Sequence, residues 1–183
     1  MEDSYLGEEP SFLPTSIKNG LIWAGAAIIL TLIVQVANLS SNFILSMVIG
    51  AFTYVFYIIG GYRAVREHRE VNLGGHISFG TAFGASFVAV FLAGFLGTLF
   101  SAIYIGYIDP GSMQEIMDST REFMEKMGTD EDIIDQAMEQ AELQAQDPFA
   151  ALKSIGGWIF ALIGSAVISL IIAAVMRKDK PHV

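Results

Sequence analysis

The sequence predicts an all-α membrane protein built on a bundle of four transmembrane helices. Of its 183 residues, 53% are hydrophobic and only 16% are charged, whereas about a quarter of a typical soluble domain is charged. Charged side chains are absent from three long intervals, 19–62, 71–108 and 154–176. Because a membrane-spanning helix needs about 20 apolar residues, the first interval accommodates two spans and each of the others accommodates one.

The first two spans are predicted at about 17–37 and 43–62. The polar residues between them, Asn-Leu-Ser-Ser-Asn, favour a turn because Asn and Ser hydrogen-bond to nearby backbone. So short a link predicts an antiparallel helix pair. Residues 1–16 are predicted to be an acidic tail. The tail lacks the positive leader of a cleaved signal peptide, so we predict one four-span membrane domain over 17–183.

The third and fourth spans are predicted at about 78–107 and 155–176. The third is about 45 Å long at about 1.5 Å per residue, which exceeds the roughly 30 Å hydrocarbon layer. It must therefore tilt or project from the membrane. Asp147 and Pro148 are typical of an N-cap followed by proline at the first helical position. We therefore expect the last helix to begin about seven residues before its span.

Between the last two spans, the sequence predicts a hairpin of two amphipathic helices over 112–146. Apolar residues recur at helical spacing on either side of Gly128, a candidate C-cap. Five of the eight methionines lie between Met113 and Met138. Because methionine surfaces adapt to varied partners, one interpretation is a docking site for a membrane-protein partner. The other is that the apolar stripes pack on each other and on the membrane or the bundle.

The distribution of lysine and arginine predicts the topology, since these residues are retained on the cytoplasmic side. Arg63, Arg66 and Arg69 lie between spans two and three, and three more basic residues follow span four. The 109–153 segment has three basic and twelve acidic residues. We therefore predict cytoplasmic termini and an extracytoplasmic 109–153 segment. The three arginines are also candidates for contact with anionic lipid headgroups.

Small residues predict where the helices pack, because helices in a membrane associate through close backbone approach. In the fourth span they recur every four residues, and in the third they form a GxxxG pair. We expect both ridges to be contact surfaces inside the bundle. The residues are Gly157, Ala161, Ser165, Ser169 and Ala173 in the fourth span, and Gly80 and Gly84 in the third.

The composition also argues against several classes of chemistry. A chain without cysteine has no disulfide, catalytic thiol or Cys-ligated zinc. The net charge of −9 without a basic cluster disfavours nucleic-acid binding. The apolar spans lack the ionisable residues that proton-driven pumps use. We find no catalytic constellation and predict no cofactor or metal site, since His68 and His76 alone are a weak metal motif.

Several short motifs resemble one known family. They are Tyr62-Arg63, the stretch Gly-Gly-His-Ile-Ser-Phe-Gly-Thr-Ala-Phe over 74–83, and Asp109-Pro110, followed by an acidic helical loop and a last span ending in basic residues. This layout resembles the bacterial four-span membrane proteins catalogued as domain of unknown function four-one-nine-nine, from about Lys18 to Lys178. The resemblance implies an all-helical fold in a bacterial inner membrane and transfers no activity.

Three functions remain open on the sequence alone. The leading interpretation is a non-enzymatic accessory or assembly subunit that acts through a membrane partner bound at the 112–146 hairpin. A small transporter or channel, as a monomer or an oligomer, requires a polar path lined by the hydroxyls of the spans. A lipid-handling protein requires a lateral groove between the spans, used together with Arg63, Arg66 and Arg69.

Overall fold

The computed structural model describes residues 10–37, 39 and 43–179. Over these residues the protein is helical and has no β-strand, apart from one isolated bridge. A π-helical turn continues the second helix across His68–Asn72, and another continues the third across Tyr104–Ile108. The α-helices are α1 Leu13–Val36, α2 Phe43–Glu67, α3 Phe79–Ile103, α4 Gly111–Lys126, α5 Glu131–Ala145, α6 Ala150–Lys153 and α7 Ile155–Met176.

Four of these helices are long and apolar enough to cross a membrane. They are α1, α7, and α2 and α3 with their π-helical continuations. Their positions match the four predicted spans, and the predicted bounds of the fourth agree with α7 at both ends. The prediction of an all-α fold with four helices capable of spanning a membrane is therefore confirmed.

The first helix begins earlier than predicted. Residues 13–16, assigned above to the acidic tail, form the first turn of α1. Pro14 suits this turn because the first backbone N–H groups of a helix need no intrahelical acceptor. The hydroxyls of Thr15 and Ser16 both donate to the Phe12 carbonyl oxygen, at 2.8 and 2.9 Å. Side chains of the supposed tail thus stabilise the start of the membrane helix.

The last helix is interrupted, so the prediction of one continuous helix from Asp147 is wrong. Asp147 Oδ1 accepts a hydrogen bond from the Phe149 N–H at 3.0 Å, and the short α6 follows. The chain is then extended at Ser154, whose Oγ accepts from the Gly157 N–H at 3.3 Å. Ser154 is therefore the N-cap of α7, and this second start separates α6 from the span.

The third span lies at the centre of the bundle and contacts α1, α2 and α7. Its contact faces consist mainly of small buried residues at helical spacing, which allow neighbouring backbones to approach closely. For example, a Cβ atom placed on Gly20 of α1 would lie 3.0 Å from the Ala89 carbonyl oxygen of α3. The buried residues of this part of α3 are Ala82, Ala85, Ser86, Ala89, Val90 and Ala93.

Polar contacts join the helices at one end of the bundle, here called the basal end and comprising residues 12–20, 60–78 and 169–179. Lys18 Nζ and Asn19 Nδ2 of α1 donate to the Glu67 carboxylate of α2, at 2.7 and 2.9 Å. These contacts attach the first two spans to each other.

The chain segments around α3 and α7 are attached to each other at the same end. Arg69 Nη1 donates to the Met176 carbonyl oxygen at 3.1 Å. Ile77 and Lys178 exchange two backbone hydrogen bonds, at 2.9 and 3.0 Å, in the isolated bridge. All four spans are thus held together at the basal end.

The core of the bundle also lies near the basal end. A Cβ atom placed on Gly61 of α2 would lie 2.8 Å from Val90 Cγ2 and 2.9 Å from Ile172 Cδ1. The absence of a side chain at Gly61 therefore brings α2 against both α3 and α7. The core cluster consists of Val65, Ile77, Ala82, Ala85, Val90, Ile172, Ala173 and Met176.

The opposite end of the bundle, here called the hairpin end, carries α4 and α5. These helices pack on each other, and Arg121 of α4 contacts Asp135 of α5 at 2.8 Å. The link between them contains Gly128 with φ +73°, a conformation that favours glycine. Phe123 of α4 stacks on Phe43 of α2, with ring centroids 4.3 Å apart. The α4–α5 pair therefore rests on the start of α2.

Candidate functional site: a lateral cleft

A cavity of about 840 Å³ lies among the four spans in the half of the bundle nearer the hairpin end. Its size is within the range of small-molecule sites, roughly 300–1,000 Å³. We call it the lateral cleft. Residues of α1 line one wall, α2 lines another, and α3 and α7 complete it. Representative lining residues are Ala27, Thr31, Gly50, Thr53, Tyr57, Gly94, Phe95, Thr98, Trp158, Ala161, Gly164 and Ile168.

The cleft exists because α2 and α7 meet at the basal end and lie apart farther along. At Gly61 the two helices are in contact. By contrast, a Cβ atom on Gly50, Gly94 or Gly164 would have no neighbour within 4 Å. Counted at about 1.5 Å per residue, these three glycines lie at similar depths, roughly 10–14 Å from the ends of α2, α3 and α7 that are nearest the hairpin end. The cleft is therefore open to the side between α2 and α7.

The hydroxyl groups in the cleft do not make it strongly polar. Thr31, Thr53 and Thr98 each donate to the carbonyl oxygen four residues earlier in the same helix, at 3.0, 3.3 and 3.0 Å. Such bonds satisfy a hydroxyl donor without an external partner. The remaining surface is mostly aliphatic, aromatic and glycine. This lining suits hydrocarbon better than it suits an ion.

Aromatic residues form part of the wall. The Trp158 ring stacks on Phe95, with centroids 5.8 Å apart and planes 24° apart. Its Nε1–H donates to the Leu152 carbonyl oxygen at 2.8 Å. Across the cleft, the Tyr57 hydroxyl lies so close to Gly97 that any side chain there would overlap it. Both aromatic side chains are thus held in place by contacts with other parts of the chain.

An ion pair lies at the end of the cleft nearest the hairpin end, a part of the cleft here called its mouth. Asp147 lines the cleft, and its Oδ2 is 2.7 Å from Lys153 Nζ. The hydrogen bond from Lys153 holds the pKa of Asp147 below its ordinary value, and the bond from the Phe149 N–H acts in the same direction. A Cβ atom on Gly106 would lie 3.1 Å from Pro148 Cγ. The mouth is therefore packed against the π-helical end of α3.

The cleft does not continue to the basal end. Tyr57, Val90 and Ile168 are the lining residues nearest that end in α2, α3 and α7. Beyond them lies the core cluster, where α2 contacts α3 and α7. Within the described part of the chain, the cleft is a pocket that ends about halfway through the bundle.

Comparison with known protein families places this chain in one of them. A family model described as "Protein of unknown function (DUF4199)" matches residues 18–178. The chain belongs to the DUF4199 family. No curated protein and no solved structure matches it. The region that defines this DUF4199 protein contains the whole lining of the cleft and both partners of the basal contacts at Lys18 and Lys178.

The three predicted headgroup arginines of this DUF4199 protein lie at the basal end, away from the cleft. Arg66 pairs with Glu70 at 3.0 Å, as its i,i+4 spacing favours. Arg69 is only 20% exposed and is bonded to α7, so it is not a free headgroup ligand. Arg63 is exposed. The cleft lies in the opposite half of the bundle and does not form one site with these arginines, whose contact with lipid headgroups stays a prediction.

The small residues predicted on the fourth span divide into two groups. Ser165, Ser169 and Ala173 are buried on α7, which packs on α3, and Ser165, at the middle of the helix, also lines the cleft. Ala161 is exposed and lines the cleft, and a Cβ atom on Gly157 would meet the Ala151 carbonyl oxygen of α6. Those two residues therefore do not form the expected contact ridge, because α7 has diverged from α2 at that level.

The predicted GxxxG pair of the third span is likewise only partly used. A Cβ atom on Gly84 would lie 2.9 Å from Cζ of Phe12, which precedes α1. Gly80 is exposed and has open space around it. The expectation for Gly80 is wrong, because the buried contact face of α3 passes instead through Ala82, Ala85 and Ala89.

The methionines of the predicted docking surface are mostly occupied within the α4–α5 pair. Met117 and Met138 are buried there with Ile134, and Met113 and Met124 pack against them. Met127, 69% exposed, lies outside this cluster. The apolar stripes thus contact each other, which is the second of the two interpretations that the sequence left open.

Sequence reasoning considered a lateral groove only as a requirement of the lipid-handling hypothesis and did not locate the cleft. A partial signal was present, because glycine within a helix is unfavourable by roughly 0.5–1 kcal/mol relative to alanine. Gly50, Gly94 and Gly164 each occur within an apolar span. The Asp147–Lys153 pair gave no comparable signal, because its residues are six positions apart, at the two sides of the short α6, and not at helical i,i+4 spacing.

Proposed function

We propose that this protein is a non-enzymatic, lipid-handling membrane protein that accommodates an acyl chain of a membrane lipid in the lateral cleft. The observation that carries the proposal is the opening between α2 and α7 into an apolar cavity of about 840 Å³. Because that opening faces the bilayer, a ligand that enters from the side must itself be dissolved in the membrane. Lipid is the most abundant ligand of that kind.

The chemistry of the cleft supports the same conclusion. The threonine hydroxyls donate hydrogen bonds within their own helices. A hydrocarbon chain in the cleft would therefore leave none of these three donors without an acceptor. A transported ion, by contrast, would need polar groups of the protein to replace the water molecules of its hydration shell. The closure beyond Tyr57, Val90 and Ile168 also makes a channel the less favoured reading.

The proposal includes an orientation in a bacterial inner membrane. The excess of basic residues favours the cytoplasm for the basal end, and the acidic 109–153 segment favours the opposite side. With that orientation, the α4–α5 pair is extracytoplasmic and the mouth of the cleft lies in the outer leaflet. The lipid would therefore be drawn from that leaflet.

A second candidate is an accessory or assembly subunit whose partner places a transmembrane helix in the cleft. The observation that favours it is the open space beside Gly50, Gly94 and Gly164, since small residues allow another helix backbone to approach closely. This interface replaces the α4–α5 pair as the docking site, because most methionines of that pair are occupied.

Native mass spectrometry of the protein, purified in mild detergent, tests the lipid proposal. We expect co-purified lipid on the wild type and a loss of about tenfold in Gly164→Phe, whose side chain would occupy the cleft. Ile163→Phe is the matched control, because Ile163 is 58% exposed and is not among the lining residues. The control should retain lipid at the wild-type level, and thermal unfolding should show that both variants are folded.

Other results identify the alternatives. If the wild type carries no lipid but crosslinks reproducibly to one membrane protein through a photoreactive group at position 164, the accessory-subunit candidate replaces the lipid proposal. If Ile163→Phe loses lipid as strongly as Gly164→Phe, the lipid is bound on the outer surface of the bundle and the cleft is not its site.

A further inference from the structure

We infer that Asp147 and Lys153 form the headgroup site for a zwitterionic glycerophospholipid, such as phosphatidylethanolamine, whose acyl chain occupies the cleft. This inference rests on the proposed lipid-binding role of the cleft and names the class of lipid that it takes. Its basis is the position of one ion pair at the mouth of an otherwise uncharged and largely apolar cavity.

The ion pair stands at the level where a headgroup is expected. The membrane-spanning α7 begins at Ile155, and its length of about 33 Å is close to the thickness of the hydrocarbon layer. Lys153 lies two residues before α7, and the ion pair holds Asp147, eight residues before α7, beside Lys153. Trp158, one turn inside α7, is a residue type enriched at the membrane–water interface. A lipid whose chain lies beside Trp158 would therefore carry its headgroup to the ion pair.

The pair can bind both charges of such a headgroup without being broken. Asp147 Oδ2 accepts from Lys153 and Oδ1 accepts from the Phe149 N–H, but a carboxylate has further lone pairs. Lys153 Nζ has three hydrogens, and its side chain is 67% exposed. The lipid ammonium can therefore approach Asp147 while the phosphate approaches Lys153. The Phe149 N–H and Lys153 together fix the carboxylate at the mouth.

The surrounding charge favours a zwitterionic lipid over an anionic one. The 109–153 segment carries twelve acidic residues against three basic ones. Glu142 of α5 lines a second depression, which shares Pro148 with the cleft. A lipid with net negative charge meets this field unfavourably, whereas a neutral headgroup with an exposed ammonium gains a contact with Asp147.

A competition experiment tests the inference. The full-length protein in mild detergent is offered equal amounts of phosphatidylethanolamine and phosphatidylglycerol with the same acyl chains, and native mass spectrometry measures the retained ratio. We expect the wild type to favour phosphatidylethanolamine by about fivefold, as for a partly exposed charge contact. Asp147→Asn should bring the ratio close to one by removing the ammonium partner. Lys153→Gln should reduce retention of both lipids by removing the phosphate partner.

The control is Lys126→Gln, which removes a lysine paired with Glu122 on α4, away from the cleft. It should leave the ratio at the wild-type value. Equal retention of both lipids by the wild type, or the same change in Lys126→Gln as in Asp147→Asn, would overturn the headgroup site and leave the cleft proposal intact. A wild type that retains neither lipid contradicts the proposed function itself.

Discussion

Arg69 donates a hydrogen bond from Nη1 to the main-chain carbonyl oxygen of Met176, 3.1 Å away, and so joins the π-helical turn after α2 to the end of α7. The last four carbonyl groups of a helix receive no hydrogen bond from an N–H of the same helix. The helix dipole also favours a positive charge near them. The Arg69 guanidinium thus supplies both a hydrogen-bond donor and a positive charge at the end of the last span.

Replacement of Arg69 by Gln should destabilise the protein. We expect a loss of about 1–3 kcal/mol, because a charged hydrogen bond to a helix terminus is removed in a largely buried setting. Thermal unfolding in detergent measures the change. Arg63→Gln is the matched control, since Arg63 is exposed and, among the described residues, forms no ion pair within 4 Å. Equal melting temperatures for the two variants would contradict a structural role for Arg69.

Gly61 and Gly25 should respond oppositely to alanine. A Cβ atom on Gly61 would approach Val90 and Ile172 to within 2.9 Å, so Gly61→Ala should cost about 1–3 kcal/mol through overpacking. Gly25 has open space, and Gly25→Ala should stabilise α1 by roughly 0.5–1 kcal/mol. The difference in free energy of unfolding between the two variants checks this. Two stabilised variants would show that α2 is not tightly packed at Gly61.

The contribution of Asp147 to stability should decrease as the pH is lowered. Its pKa is lowered, chiefly by the hydrogen bond from Lys153, so the folded state binds this proton less readily than the unfolded state. The stabilisation is therefore fully present above the ordinary value of 3.8 and is lost as the pH falls through the lower folded-state pKa. The difference in melting temperature between wild type and Asp147→Asn should be constant from about pH 5 to pH 7 and shrink in stronger acid.

Lys126→Gln provides the comparison for that experiment. It removes a lysine–carboxylate pair on α4, and Asp147 stays paired. The acid-dependent loss due to Asp147 should therefore persist in this variant. A difference between wild type and Asp147→Asn that grows as the pH falls below 3.8 would show that the sign derived for Asp147 is incorrect.

The orientation can be tested directly because the natural sequence has no cysteine. Glu139→Cys places one thiol on exposed α5, and Asn72→Cys places one at the exposed basal end. In intact cells, a membrane-impermeant maleimide should label position 139 only. After permeabilisation both positions should react. Labelling of position 72 alone in intact cells would reverse the proposed orientation.

The helices were predictable because their causes are local. Apolar length fixed α7 at the predicted bounds, and Gly128 with its flanking periodic stripes indicated the α4–α5 pair. The misplaced boundaries also have local causes that compete with hydropathy. Pro14, Thr15 and Ser16 extend α1 toward its N-terminus. The last span begins after the N-cap Ser154, whereas the sequence had suggested a start at Asp147.

The cleft was not predictable because it depends on where two helices separate. The same residue type, glycine, brings α2 against α7 at position 61 and faces open space at positions 50 and 164. Composition cannot distinguish these environments. Likewise, three arginines of similar spacing have different surroundings, since Arg69 faces α7 whereas Arg63 is exposed.

The π-helical turn at His68–Asn72 has a consequence for insertions and deletions. A π-turn contains one residue more than the α-helical hydrogen-bond register allows, and here it is followed by the short link to Ile77 and its bridge to Lys178. Removal of a single residue can be absorbed by conversion of this turn to α-helix, whereas a second deletion would shorten the link and weaken the two backbone hydrogen bonds between Ile77 and Lys178. Length in this short stretch is thus constrained more tightly than the identity of its exposed residues.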